Sequence, residues 1–219
     1  MRLAVISDVH ANRVAFEAVL EDMPPVDGYL CAGDVVGYGP WPAECLERVR
    51  ELDAPTVMGN HDRAVATDTG FGFNSMATAG VRYARDHCSD EQIAWLADLP
   101  EERIEHDGRV KIVHGHPDDP NRYTYPGLFG PELLDDEDVL ILGHTHVQAH
   151  ETYDEGIVMN PGSVGQPRDE DPRAAYSILD LDDMTVDERR VEYDIERVIE
   201  AVREAGLPEK IGKRLRQGR

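Results

Sequence analysis

Cysteine, lysine and long apolar runs are all scarce in this chain. Its three cysteines, Cys31, Cys45 and Cys88, are odd in number and include no Cys-x-x-Cys pair. That argues against a disulfide framework and fits a reducing cytoplasm. Lysine occurs only as Lys111, Lys210 and Lys213, which leaves 19 of the 22 basic residues to arginine. Apolar runs are short. After Met1-Arg2, residues 3–6 reach Ser7-Asp8 too soon to form a signal-peptide core or a membrane span. A cytoplasmic protein is the expectation. The sequence also lacks internal repeats and low-complexity linkers, and 219 residues favour one domain over 1–219. Its basic end, 210–219, reads as a solvated and mobile tail.

Acid is abundant: 44 acidic residues stand against 22 basic ones, a formal net charge of −22. Such a field disfavours broad attraction to nucleic acid or to anionic membrane. An acidic, lysine-poor surface suits concentrated salt, where self-repulsion is screened, so a halophilic source is the working hypothesis.

The chain alternates short apolar runs with helical patterns. "LAVIS", "GYLCAGD" and "PTVMGN" read as strands, separated by helices over residues 12–23 and in "PAECLERVREL". This β-α-β-α-β order implies parallel pairing with right-handed crossovers. Residues 74–99 read as two helices broken near Ser89-Asp90. Beyond Pro100 come a hairpin around Asp107-Gly108, the buried strand "DVLILG", a second hairpin in "HVQAHETYDEGIVMNPG" and two further strands. A helix from Ile195 ends the pattern. The fold class expected is α/β, a four-layer α-β-β-α sandwich of two mixed sheets flanked by helices.

Each apolar strand is followed by polar residues able to bind metal. They are Asp8 and His10, Asp34, then Asn60, His61 and Asp62, then His114, and finally His144 and His146. In α/β sheets the carboxyl ends of strands border the ligand crevice. Singly, an aspartate there can be a turn or cap residue and a histidine a hydrogen-bonded core residue. Five such coincidences are much harder to explain that way. Two aspartates, four histidines and an asparagine, with no thiolate, suit Mn, Fe, Zn or Ni better than Ca or Mg. Seven ligands exceed one site that must also hold water, so two cations sharing a carboxylate is the natural count. A pair about 3.5–4 Å apart clamps a phosphoryl centre. The two histidines of "GHTH" can each serve a different cation.

Taken in order, Asp8-x-His10, Gly33-Asp34, Gly59-Asn60-His61-Asp62, His114 and Gly143-His144-Thr145-His146 resemble the signature of the calcineurin-like metallophosphoesterases. "NPGSVGQPRDEDPRAAY" resembles the compact bacterial and archaeal phosphodiesterase branch, and "GDVVGYGPWP" its members similar to diadenosine tetraphosphatases. The resemblance implies two divalent cations, manganese foremost, with Fe, Zn, Ni or Mg as alternatives. It places Asp8, His10 and His146 on one cation and Asn60, His114 and His144 on the other, with Asp34 between them. A bridging water or hydroxide is then the nucleophile. His61 becomes a general acid or stabiliser near the leaving oxygen, and Asp62 orients it. Some small family members carry cysteine where His61 stands, so the histidine favours catalytic competence.

Arg168, Tyr38 and His116 are candidate substrate contacts, as are Arg122, Tyr123 and Tyr125. Each also has an ordinary surface or packing role open to it; Arg168 can instead pair with Asp169 or Asp171. The function implied is hydrolysis of small phosphodiesters, nucleotides or dinucleoside polyphosphates. A protein-interaction scaffold of the same fold, as in the small subunit of the retromer coat, is the alternative that lost ligands would favour. A nuclease is the other, opposed by the charge.

The charge makes a prediction of its own. Thermal melts from low to molar salt are expected to show rising stability as counterions screen self-repulsion. A flat melting temperature would remove the halophile hypothesis.

Overall fold

Strand β1 (Arg2–Ile6) is buried along its apolar length on both faces. Leu3 and Val5 enter a core shared with Val110, Ile112, Val139, Ile141, Ile157 and Met159. Ala4 and Ile6 enter a second core, with Phe16, Val19, Leu46 and Val49. The two-residue period of a strand thus divides one short run between two cores. The computed structural model describes residues 1–69 and 72–219.

The first sheet is ordered β2-β1-β8-β9, where β2 is Gly28–Cys31, β8 Ala174–Asp180 and β9 Thr185–Val191. β1 and β2 are parallel and joined through helix α1 (Arg13–Asp22), the crossover that a parallel pair requires. β8 lies antiparallel to β1, so the sheet is mixed. The second sheet comprises β3 (Glu102–Glu105), β4 (Val110–Val113), β5 (Val139–Ile141), β6 (Ala149–Thr152) and β7 (Ile157–Asn160), ordered β3-β4-β5-β7-β6. Its centre is parallel and its two hairpins are antiparallel. The expected pair of mixed sheets flanked by helices is therefore present.

The two flanks differ in thickness. Helices α2 (Pro42–Glu51), α3 (Asn60–Thr67), α4 (Ser75–His87) and α5 (Asp90–Ala97) join α1 over the first sheet. Asn12 caps α1 by accepting the Ala15 N–H at 3.2 Å, and Ser89 with Gln92 forms a capping box between α4 and α5. Over the second sheet, Phe129, Leu133 and Leu134, from a stretch containing two 3-10 turns (Pro126–Leu128 and Pro131–Leu133), cover Val113, Leu140, Leu142 and Val158. No described helix is long and apolar enough to cross a membrane.

Two expectations fail. Residues 55–60 read as a third strand, but among the described residues they make a single bridge, Thr56 with Cys31, and then leave the sheet. Gly59 lies so close to Asp34 that a Cβ would come within 2.0 Å of the Asp34 Oδ1. The chain turns there, and the polar run from Asn60 becomes the first turn of α3, a helix that the apolar pattern does not announce.

The basic tail is the second. Helix α6 (Ile195–Glu204) is followed by α7 (Lys210–Lys213) and a 3-10 turn (Arg214–Gln217), so the tail is folded. Ile211 and Leu215 are buried in a cluster with Val14, Tyr38, Val198 and Val202. The cations lie outside this cluster; Arg216 pairs with Glu196 at 2.7 Å. The i,i+4 spacing of Ile211 and Leu215 is the signal that the net charge masks. Ile211→Ala is therefore expected to cost about 2–5 kcal/mol in urea denaturation, and Arg216→Ala under about 1 kcal/mol. Equal small losses would mean that the tail does not pack as described.

Candidate active site

The polar residues that follow the strands meet at one edge of the sandwich. Asp8 and His10 follow β1, Asp34 follows β2, His114 follows β4, and His144 and His146 follow β5. Asn60, His61 and Asp62 occupy the first turn of α3. Asp8, His10, Asp34, His144 and His146, along with Tyr38, hold positive φ between 48° and 66°. For residues other than glycine this conformation costs on the order of 1–3 kcal/mol each, and such strain gathers where function requires a geometry.

The histidines are oriented by their outer nitrogens. Nδ1–H of His10 donates to the Val36 carbonyl at 3.1 Å, that of His114 to Ala32 at 2.7 Å, and that of His146 to Gln166 at 2.6 Å. In His144 it is Nε2–H that donates, to the Asn121 carbonyl at 3.2 Å. A ring so tied presents, when neutral, a lone pair on its other nitrogen. His10 Nε2 and His146 Nε2 lie 3.1 Å apart, and His146 Nε2 lies 3.1 Å from Asp8 Oδ1. Asp8 Oδ1 is buried and accepts no hydrogen bond from the described residues. Its Oδ2 is occupied, receiving Ser7 Oγ–H at 2.6 Å and the His144 N–H at 3.1 Å. Three acceptors therefore face one another with no proton between them. This donor set fits a cation.

A second group adjoins the first. His114 Nε2 lies 3.2 Å from Asn60 Oδ1 and 3.3 Å from Asp34 Oδ2. The same Asp34 oxygen is 3.7 Å from His10 Nε2, while Asp34 Oδ1 is held by the His61 N–H at 2.8 Å. Possible donor atoms of Asp8, His10 and His146 fall within 4.8 Å of one another, as do those of Asp34, His114 and His144, and those of His10, Asp34 and His61. Burial works against charge on His114, but the Asp34 carboxylate outweighs it and pushes the pKa up to about 10. Burial instead lowers His144 to about 4, with His114 adding to the effect, and keeps His10 below its ordinary value.

His61 and Asp62 are not paired as expected. The Asp62 carboxylate accepts three backbone N–H groups, from Asp34 at 2.7 Å, Gly59 at 3.1 Å and Val36 at 3.2 Å. It braces the Asp34 loop against α3. Burial, with the nearby Asp34 charge, raises its pKa to about 7. The His61 Nδ1 is buried without a hydrogen-bond partner among the described residues. Its ring stacks on Phe73 at 4.6 Å and lies 4.6 Å from the Tyr38 ring. Burial lowers its pKa to about 4, against the pull of Asp34.

Tyr38, Tyr123 and Arg168 line the cleft of about 110 Å³ over these groups. Tyr123 stacks on His144 at 4.0 Å, and Tyr125 stacks behind it. His116 is absent from the described lining; its ring touches Arg122, and its Nδ1 accepts the Asp118 N–H at 3.1 Å. Phe73 and Gln166 are site residues that pattern reading misses. Phe73 sits in no motif, and the role of Gln166 comes from its backbone carbonyl, on which sequence is silent.

The fold and the site together define a class: α/β proteins of two packed mixed sheets whose strand ends carry His/Asp clusters able to hold metal ions. Within it, the chain belongs to the calcineurin-like phosphoesterase superfamily, whose domain model matches residues 1–184. An uncharacterized protein of Methanocaldococcus jannaschii is 36% identical over 99% of this chain and 98% of its own length. The phosphodiesterase YfcE of Escherichia coli is 28% identical over 85% of this chain and 91% of its own. The crystal structure of a metallophosphoesterase from Sphaerobacter thermophilus superposes with a TM-score of 0.88 at 39% identity, covering 100% of this chain and 99% of that one.

Because Asp62 satisfies three buried N–H groups, Asp62→Ala is expected to lower stability by about 3 kcal/mol or more, at roughly 1–3 kcal/mol per orphaned donor. Urea denaturation of metal-stripped protein measures this. A loss under about 1 kcal/mol would show that these contacts are not what Asp62 is for.

Proposed function

We propose that this chain is a dinuclear metal-dependent phosphoesterase acting on small phosphodiesters, nucleotides or dinucleoside polyphosphates. The observation that carries the reading is the meeting of His10 Nε2, His146 Nε2 and Asp8 Oδ1 with no hydrogen to share among the described residues, beside a second group in which His114 Nε2 faces Asn60 Oδ1 and Asp34 Oδ2. The phosphodiesterase name of the YfcE relative supports hydrolysis of phosphoesters. The buried and half-buried free cysteines of this chain fit work in a reducing cytoplasm.

In this proposal Asp8, His10 and His146 hold one cation and Asn60, His114 and His144 the other. Asp34, whose Oδ2 lies between His10 and His114, would be the carboxylate that both sets share. Manganese is the foremost candidate on the family resemblance, and the mixed imidazole and carboxylate donors suit Fe, Zn or Ni as well. When bound, the pair supplies Lewis acidity to the phosphoryl oxygens and a nucleophile at neutral pH. The protein's own part is to hold the ligands rigidly. Each histidine is tied to a backbone carbonyl, and Asp34 Oδ1 to the His61 N–H. His61, neutral because it is buried, serves as a hydrogen-bond donor to charge developing on the leaving oxygen.

Metal-stripped protein is expected to be inactive on bis-(p-nitrophenyl) phosphate and to recover with Mn. Asp34→Asn should lose more than the ~10–100-fold typical of outer partners of a metal site, and more than Asn60→Ala. Parental activity of Asp34→Asn under saturating Mn would overturn the shared-ligand assignment. His61→Ala should lower turnover by about 10²–10³-fold, equally for alkyl and aryl leaving groups, with metal content unchanged. A loss confined to alkyl esters would instead make His61 a proton donor. Loss of a metal ion would make it a ligand of the His10–Asp34–His61 group.

A further inference from the structure

Arg168 is unusual for an arginine in so acidic a chain. Its sequence neighbours Asp169 and Asp171 are the natural partners, but Asp169 pairs with Arg190 and Asp171 with Arg173. Arg168 forms no ion pair among the described residues and turns into the cleft. One of its terminal amino groups donates to Gln166 Oε1 at 2.9 Å and reaches the Tyr38 hydroxyl at 3.5 Å. The guanidinium carbon lies 5.9 Å from the centroid of the Tyr38 ring. Its Nε is buried and donates to no acceptor among the described residues. Arg168 is also the one arginine or lysine among the described residues lining the cleft with Asp34, Asn60, His61, His144 and His146. A buried donor without an acceptor is costly unless a ligand completes it. A guanidinium edge matches two phosphate oxygens in one plane.

Arg168 is held directly by Gln166, Tyr38 and, through its own N–H, the His146 carbonyl at 3.1 Å, but part of what backs those contacts lies beyond residues 1–184, the part matched by the family domain. Ile211 and Leu215 border the same small cavity as Tyr38 and Gln166, the two side chains that Arg168 touches. The Glu170 N–H donates to the Gly218 carbonyl at 3.1 Å, and Arg219 reaches Glu170 Oε1 at 2.8 Å. Gly218 is left-handed, with φ 59°, and a Cβ there would fall 2.6 Å from the Asp171 backbone. The loop that carries Arg168 is thus fastened to the end of the chain.

We propose that Arg168 receives phosphate oxygens of the substrate and that the C-terminal segment, residues 207–219, is the device that positions it. The inference rests on the phosphoesterase reading for the identity of the anion. Arg168 acts on the bound ground state, so its loss falls on affinity. The segment acts through Tyr38, Gln166 and the loop from Arg168 to Asp171, so damage to it reproduces a weaker form of the same loss.

The test measures inorganic phosphate binding by calorimetry on the Mn-loaded full chain, with kcat, KM and melting temperature for the same proteins. Arg168→Met is expected to weaken phosphate binding and raise KM about 10–100-fold, the scale of a charge-assisted hydrogen bond, with kcat within about threefold. Gly218→Val, strained and pressed against Asp171, should raise KM about 3–10-fold without changing kcat. Leu215→Ala takes its place if Gly218→Val does not fold, and the same direction is expected. Parental phosphate affinity in Arg168→Met would overturn the receptor role. Parental KM in a folded tail variant would overturn the positioning role. If the parent binds phosphate through Arg168 but hydrolyses no ester, the phosphoesterase reading fails and the anion site stands.

Discussion

Four imidazoles that spend their outer nitrogens on backbone carbonyls are the constraint around which this protein is built. Val36, Ala32, Asn121 and Gln166 supply the carbonyls. Once those bonds are made, each neutral ring has only an acceptor to offer inward. The inner atoms then repel one another unless a cation or a proton lies among them. Around His114 a proton is one answer, since the Asp34 carboxylate beside it favours the charged ring. Around His10, His146 and Asp8, burial opposes protonation of both rings.

The rest of the fold reads as support for that edge. Both sheets contribute strand ends to it, so residues far apart in sequence, such as Asp8 and His146, come into contact. The turns after the strands are tight enough to force aspartate and histidine into left-handed backbone, and the surrounding contacts must offset that strain. Asp62 contributes by gathering three N–H groups from two loops, a bracing role that leaves the His61 ring free to face the cleft. The docked tail extends the same logic to the cleft wall, because Tyr38 packs with Ile211 and Leu215 on one side and lines the cleft on the other.

Much of the fold and the centre of the site were legible in sequence because both rest on local rules. Apolar runs of four or five residues bounded by turn residues mark strands wherever the run is paired. The Asp107-Gly108 hairpin forms where its turn residues stand, and α4 and α5 divide at the Ser89 cap. Polar residues directly after strands are displayed at strand ends by geometry alone, so Asp8, His10, Asp34, His114, His144 and His146 were recognisable without a structure. Residues 55–60 have a pattern that suits a strand, but the close approach of Gly59 to Asp34, a contact across 25 residues that no local rule shows, ends the pairing.

The sequence by itself determined the element order, the two-sheet class and the chemical types gathered at the strand ends, because these follow from hydrophobic period and from residue identity. Only the tertiary structure decided which nitrogen of each histidine turns inward, since that depends on carbonyls of distant loops. It decided that Asp62 braces backbone rather than the His61 ring, and that His116 stays with Arg122. It also decided that a tail carrying net positive charge lies folded beneath Tyr38. Charge is read residue by residue along a chain, but burial belongs to a face, and a face exists only once there is something for it to pack against.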